Sequence, residues 1–325
     1  MSGLVHGAVY GVLILAVVLT TSGLWIWGER KFAARLQTRL GPTIVGPFGL
    51  LQAVADVLKL LQKEDIIPAQ ADRALFNIAP VLAAFCALGV AAVIPFSPDV
   101  IASDLDVGVL YILGLGALTT IAIFLGGWAS NNKFALLGGM RSVAQAISYE
   151  IPLVLAAMVP VILAGSLSVS DIVRWQVGHH MFALWPIVPG LPAFGIFFMA
   201  MLAESNRIPF DIPEAESELV GGITTEYTGI KFTLFYMAEY VHTLVGSAVA
   251  AALFLGGWDG PFAPGLHWMV AKTLVLFVSV YWIRWSLVRF RSDQLLTMCW
   301  RYLVPASVLL VLAAALWVQL FPEFL

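Results

Sequence analysis

Eight charge-poor apolar runs, bounded by charged or turn residues, fall near 4–27, 74–96, 107–128, 142–164, 187–203, 232–256, 266–288 and 302–321. A helix needs about 20 apolar residues to cross a bilayer, and most of these runs reach that length. The fifth is shorter, and the seventh carries Lys272 and Arg284. Inside lipid every backbone polar group must find a partner within the protein, which leaves helices or closed barrels. Barrel strands alternate apolar and polar residues over about 10 positions, whereas these runs are continuously apolar. The reading is therefore an all-α polytopic membrane protein of about eight spans, a single membrane domain over 1–325. Only 11% of the 325 residues are charged and 60% are hydrophobic, against about 25% charged in a soluble domain. The first run extends from Leu4 to Trp27 without a basic flank, longer than a signal-peptide core, and is expected to be a retained span.

Loop charge then sets the threading. Of the 17 Lys and Arg, fifteen lie in the first, third, fifth and seventh loops or at the helix ends beside them, leaving only Arg174 and Lys272 for the opposite side. By the positive-inside rule the odd loops are cytoplasmic and both termini are periplasmic. The first cytoplasmic loop, 28–73, contains a further helical pattern at 50–63. Gln52, Asp56, Lys59 and Lys63 form one face, and Leu50, Leu51, Val54, Val57, Leu58 and Leu61 the other. Such a helix lies in the membrane interface or packs on protein.

Ionisable groups inside spans need a purpose. Glu150 and Glu239 interrupt otherwise apolar runs at similar distances from the expected cytoplasmic ends, roughly 12 Å along the helix. They are expected to share a polar pocket and to be mostly neutral, because no Lys or Arg lies within one turn of either. They form either a proton or ion path or a hydrogen-bonded helix lock. The fifth loop, 204–231, carries six carboxylates, Glu204, Asp211, Glu214, Glu216, Glu218 and Glu226, among the apolar residues Pro209, Phe210, Ile212, Pro213 and Leu219. This composition predicts an ordered, partly buried loop whose neighbouring carboxylates titrate at raised, coupled values. His242 stands three residues after Glu239 on one helical face, which suggests a local hydrogen bond between them or a relay role. His179 and His180 read as a solvated patch, and the histidine pattern does not suit a two-imidazole haem. The glycine pairs 126–127, 138–139, 221–222 and 256–257 read as packing or turn positions outside any strand-turn-helix phosphate motif. Cys86 and Cys299 are far apart and suggest neither a disulfide framework nor a cluster, and the net charge of −3 gives no sign of nucleic acid as a partner.

Several polar segments are familiar together: GERK at 28–31, RLGPTIVGPFGLLQAVADVLKLLQKED at 39–65, WASNNKFALLGGMRSVAQAISYE at 128–150, ESNRIPFDIPEAESELVGGITTEYTGIKF at 204–232, MAEY at 237–240 and RWSLVRFRSDQ at 284–294. On these the chain resembles, nearly end to end, the family of the H subunit (subunit 1 in mitochondria) of proton-pumping NADH-quinone oxidoreductase, respiratory complex I. The resemblance implies a multi-pass component of a bacterial inner membrane that forms the outer quinone chamber. Glu29, Arg30 and Arg39 would line the quinone passage and Asp56 its mouth. Glu150, Glu204, Asp211, Glu214, Glu216, Glu218, Glu226 and Glu239 would form an acidic proton path toward antiporter-like membrane subunits. It implies quinone as substrate and no cofactor on this chain, with NADH, FMN and iron-sulfur clusters on partner subunits. Those partners are the peripheral-arm subunits bearing the quinone headgroup site and terminal cluster, together with small membrane subunits. The chain departs from the family pattern at Thr43, Ile223 and Val288. Alternative readings are the homologous component of a hydrogenase-, ferredoxin- or deazaflavin-linked complex, a stand-alone proton or cation transporter, and a purely structural anchor. No repeat relates 1–160 to 161–325, as many transporters would show.

Overall fold

The computed structural model describes residues 2–178, 189–213 and 216–321. Its long helices are α1 (Ser2–Leu36), α3 (Arg73–Val90), α4 (Gly108–Ala129), α5 (Lys133–Ala164), α9 (Gly229–Phe254), α10 (Leu266–Ser286) and α12 (Val304–Leu320), the last continuous with α11 (Ser292–Met298) through a π-helical turn at Cys299–Leu303. Shorter helices are α2 (Gln52–Gln62), α6 (Val169–Gly178), α7 (Gly190–Glu204) and α8 (Glu216–Leu219). Among the described residues there is no β-strand, only an isolated bridge between Ser97 and Val100. Among the described residues, seven helices are long and apolar enough to cross a membrane. The expected fifth span falls on α7, which at 15 residues is shorter; positions 187 and 188 of that span, and the His179 and His180 pair, lie outside the described residues.

Two boundaries differ from the sequence reading, and both matter for the site. Helix α1 continues through GERKFAARL to Leu36, because Glu, Arg, Lys and Ala are strong helix formers; Glu29 and Arg30 are therefore helical residues, one turned inward and one outward. Helix α5 starts at Lys133, where the Asn132 side chain accepts from the Phe134 N–H, so Glu150 lies about 25 Å along its helix and Glu239 about 15 Å along α9. Their equal distance from the helix starts does not hold. The amphipathic helix is α2, slightly shorter than the expected 50–63, and none of its residues is buried.

Helix α9 is central, packed against α3, α10, α1 and α7, while α5 packs against α4, α7 and α12. Small residues allow the close approach that lipid-embedded helices need: Ala79, Ala83, Ala87 of α3 and Ala248, Ala250, Ala251, Ala252 of α9 are all buried. Helices α1 and α12 instead expose large apolar side chains such as Val12, Val17, Leu309 and Leu316, the surface expected where lipid is the solvent. The π-turn lies just before Val304 and Pro305; Pro305 lacks an N–H and would clash with the carbonyl of Arg301, four residues back and within that turn, and the wider turn absorbs the conflict.

The polar ends segregate. At one end Asp72 N–H donates to the Ala129 carbonyl, Lys231 pairs with Asp65 at 2.7 Å, and Thr228 accepts from Ile66 N–H and donates to Glu64. At the other, Val109 N–H donates to Leu167, and Gln176 donates to the carbonyls of Ala252 and Leu253 while accepting from Gly256 N–H. The lone cation of that end inside an apolar run, Lys272, has a structural explanation. Its Nζ donates to the carbonyls of Leu255 at 2.5 Å, Gly257 at 3.0 Å and Asp259 at 2.6 Å. It thereby closes the C-terminus of α9 where Gly256 and Gly257 turn the chain at positive φ, satisfying carbonyls that a helix end leaves open. Replacing Lys272 by Met should lower stability by about 1.5–3 kcal/mol, read as a lower thermal midpoint in detergent, with Lys272→Arg retaining part of it.

Candidate functional site

Arg207 lies on the turn after α7, and its side chain is 1% exposed. The turn is held by Gln145 of α5, whose amide donates to the carbonyls of Ala203 at 2.7 Å and Phe210 at 3.0 Å and to the Asn206 side chain at 3.2 Å. That clamp aims the guanidinium between α1 and α9. Its Nη1 donates to Glu29 Oε2 at 3.3 Å, its Nε lies 2.7 Å from Glu239 Oε1, and its Cζ sits 3.9 Å from the centroid of the Tyr240 ring. The contact to Glu239 is an ion contact; its angle is not that of a hydrogen bond. Glu29, 4% exposed, also accepts from the Tyr240 hydroxyl at 2.6 Å and faces Arg284 of α10 at 2.7 Å. Tyr240 continues to Tyr236, the two hydroxyls 3.1 Å apart.

Two cations and two carboxylates thus balance in a buried cluster spanning α1, the α7–α8 turn, α9 and α10. Burial works against the Arg207 charge, but Glu239, Tyr240 and Glu29 outweigh it and push its pKa above the ordinary arginine value. The expectation that no cation stands beside Glu239 is therefore overturned. Its cation comes from a different segment, 32 positions earlier in sequence, which a search within one helical turn does not reach.

Nor do Glu150 and Glu239 face each other as a pair. The charged groups acting on Glu239 are Arg207, Arg284, Glu29 and Asp211, whereas the carboxylate acting on Glu150 is Glu204. Glu204, at the end of α7, instead approaches His242 of α9, with Oε1 and Nε2 3.6 Å apart. The imidazole is thus turned toward Glu204, where a local bond to Glu239 was expected. A cavity of about 40 Å³ is lined by Glu204, Glu239, His242, Thr119, Asn206 and Thr224, among others.

Among the described residues of the acidic loop, Asp211, Glu218 and Glu226 are held by partners from other segments. Asp211 pairs with Arg289 at 2.9 Å, alongside Phe210 stacked on Phe290 and a Phe290 N–H bond to the Pro209 carbonyl. Glu218 pairs with Arg141 at 2.6 Å, whose hydrogen bond and charge hold the carboxyl below its usual range; this reverses the upward shift expected there. Glu226 accepts from the Asn132 amide at 2.6 Å. Glu214 and the side chain of Glu216 lie outside the described residues. In the first loop Arg30 and Asp56 are brought together at 2.6 Å, with Gln52 donating to Asp56 at 3.0 Å. Arg39 is exposed and donates to Gln37.

Sequence reasoning missed Arg207 and Arg284, which it counted only as loop charges, and Gln145, Tyr240 and Gly116. Gly116 of α4 packs directly on Glu204: a Cβ there would overlap Glu204 Oε1, the far end of a flexible side chain. The signal available was a glycine within a continuous apolar run, a common mark of close approach. Gly116→Ala should therefore displace the Glu204 carboxylate at little cost in stability. Lowered activity with an unchanged thermal midpoint is the expected result, and a lower midpoint with unchanged activity would assign Gly116 to packing alone.

The chain matches the NADH dehydrogenase family over residues 9–315. It is 44% identical over 98% of its length to the H subunit of NADH-quinone oxidoreductase from Dehalococcoides mccartyi (strain CBDB1), of which 89% is covered. The protein of the same name from Anaeromyxobacter dehalogenans (strain 2CP-C) is 45% identical over 97% of this chain and 82% of its own. That from Thermomicrobium roseum is 46% identical over 92% of each.

Proposed function

Because the chain belongs to the NADH dehydrogenase family, among relatives named as the H subunit of NADH-quinone oxidoreductase, we propose that it couples quinone reduction to proton translocation in that enzyme. The observation that carries this reading is the run of ionisable side chains leading inward from the acidic loop. Asp211 and Arg289 form its outer end, and Arg207, Glu29, Glu239 and Arg284 the balanced cluster. Beyond it come Glu204 with His242 and then Glu150. The series crosses from the polar end into the membrane-spanning helices, where buried charge is costly unless it serves a purpose. A charge change on quinone near its outer end would alter the balance of the cluster, and proton uptake by a carboxylate would restore it.

In this reading eight spans place both termini on the periplasmic side of a bacterial inner membrane. The polar end carrying α2 and the acidic loop faces the cytoplasm and the peripheral-arm subunits. Helix α2 lies in the interface, with Val54, Val57, Leu58 and Leu61 exposed toward lipid and Asp56 tied to Arg30. This is the opening through which a quinone tail reaches the chamber bordered by Glu29, Arg30 and Arg39. Glu214, Glu216, Glu218 and Glu226 extend the acidic series at the loop. FMN, NADH and the iron-sulfur clusters belong to partner subunits, and the inner end of the path leads toward antiporter-like membrane subunits.

Glu150→Gln and Glu239→Gln keep volume and hydrogen bonding while removing the ionisable proton. The proton path predicts an assembled complex whose quinone reduction and proton transport in proteoliposomes fall roughly a hundredfold or more. Normal turnover and proton stoichiometry in both variants would reduce the two glutamates to a helix lock.

A further inference from the structure

His242 is a buried titratable side chain, 9% exposed, that the acidic series alone leaves without a role. A histidine placed for packing has its ring nitrogens satisfied, since buried polar atoms almost always find partners. Here Nδ1 is buried without a protein partner, and Nε2 stands 3.6 Å from Glu204 Oε1, just beyond hydrogen-bond length, so a small rotation of ring or carboxylate closes the gap. The 40 Å³ cavity that the ring lines also holds Glu204, Glu239, Thr119 and Asn206 on its walls; its volume and these polar groups suit water. A second cavity of about 30 Å³ on the apolar side is lined by the same Glu204 and His242. The groups facing the ring are thus Glu204 from α7, which itself acts on Glu150 and Tyr149 of α5, and Glu239 of α9 with its Arg207 partner.

We propose that His242 is a proton-transfer residue joining Glu204 to Glu239, an inference that rests on the acidic series being a proton path. Protonated Glu204 gives its proton to Nε2, forming the imidazolium. The Nδ1 proton then leaves through cavity water to the Glu239 carboxylate, so that one proton moves and the ring returns to neutral as its other tautomer. Imidazole suits this step because one ring nitrogen can accept a proton while the other releases one.

His242→Gln keeps approximate volume and hydrogen bonding but cannot carry the proton. In the reconstituted complex, quinone-linked proton transport should fall roughly a hundredfold or more, and the pH dependence of the remaining rate should differ from that of the wild type. His242→Asn serves the same purpose if the Gln variant does not assemble. A His242 variant with wild-type rate and pH profile overturns the proposal. Glu204→Gln run in parallel separates the two levels. Loss there with normal His242→Gln removes the histidine alone, whereas normal turnover in Glu204→Gln removes the path and the histidine with it.

Discussion

A guanidinium cannot be withdrawn from water without counter-charge, and Arg207 is almost wholly withdrawn. Solvating it within the protein takes Glu29 from α1, Glu239 and Tyr240 from α9, and Gln145 of α5 to hold the turn that carries it. Glu29 in turn draws in Arg284 of α10. Apolar packing between these helices is nearly non-directional in lipid, since lipid tails are as apolar as the side chains they replace. The charge cluster supplies a directional constraint, fixing how α1, α9 and α10 meet at the polar end.

That arrangement also gives the site its responsiveness. Two cations and two carboxylates in a low-dielectric setting interact far more strongly than they would in water, so a change of one charge at the edge of the cluster is felt across it. Asp211 and Arg289 stand on the loop side, and Glu204 with His242 on the inner side. Small residues set these distances: Gly116 lets the Glu204 carboxylate settle against α4, and Gly138 lets α5 approach the acidic loop at Pro213 and Gly222.

The helices were legible because periodicity and length act locally: each apolar run became a helix, and the four-and-three spacing at 50–63 became α2. Their ends were less legible. Strong helix formers carried α1 past Trp27, and Asn132 started α5 before its apolar run begins. The acidic residues were identifiable individually, yet their partners were not, because pairing across helices depends on rotation and register that a one-dimensional pattern does not hold. Glu239 looked solitary for that reason, and Arg207 looked like one more cytoplasmic cation. The loop carboxylates were expected to titrate together because they are close in sequence, whereas Asp211, Glu226 and Glu218 are held by Arg289, Asn132 and Arg141 from other segments.

The dependence of the fold on this balance is tested most directly by a double-mutant cycle on Arg207 and Glu239, read as the thermal midpoint of the purified complex in detergent. Arg207→Met alone leaves Glu239 buried without its cation and should cost about 3–5 kcal/mol. Adding Glu239→Met leaves Glu29 with Arg284 as a neutral pair, and the double variant should recover at least half of that loss. Additive losses in the double variant would contradict the account, because independent contributions are expected of residues that do not share an interaction.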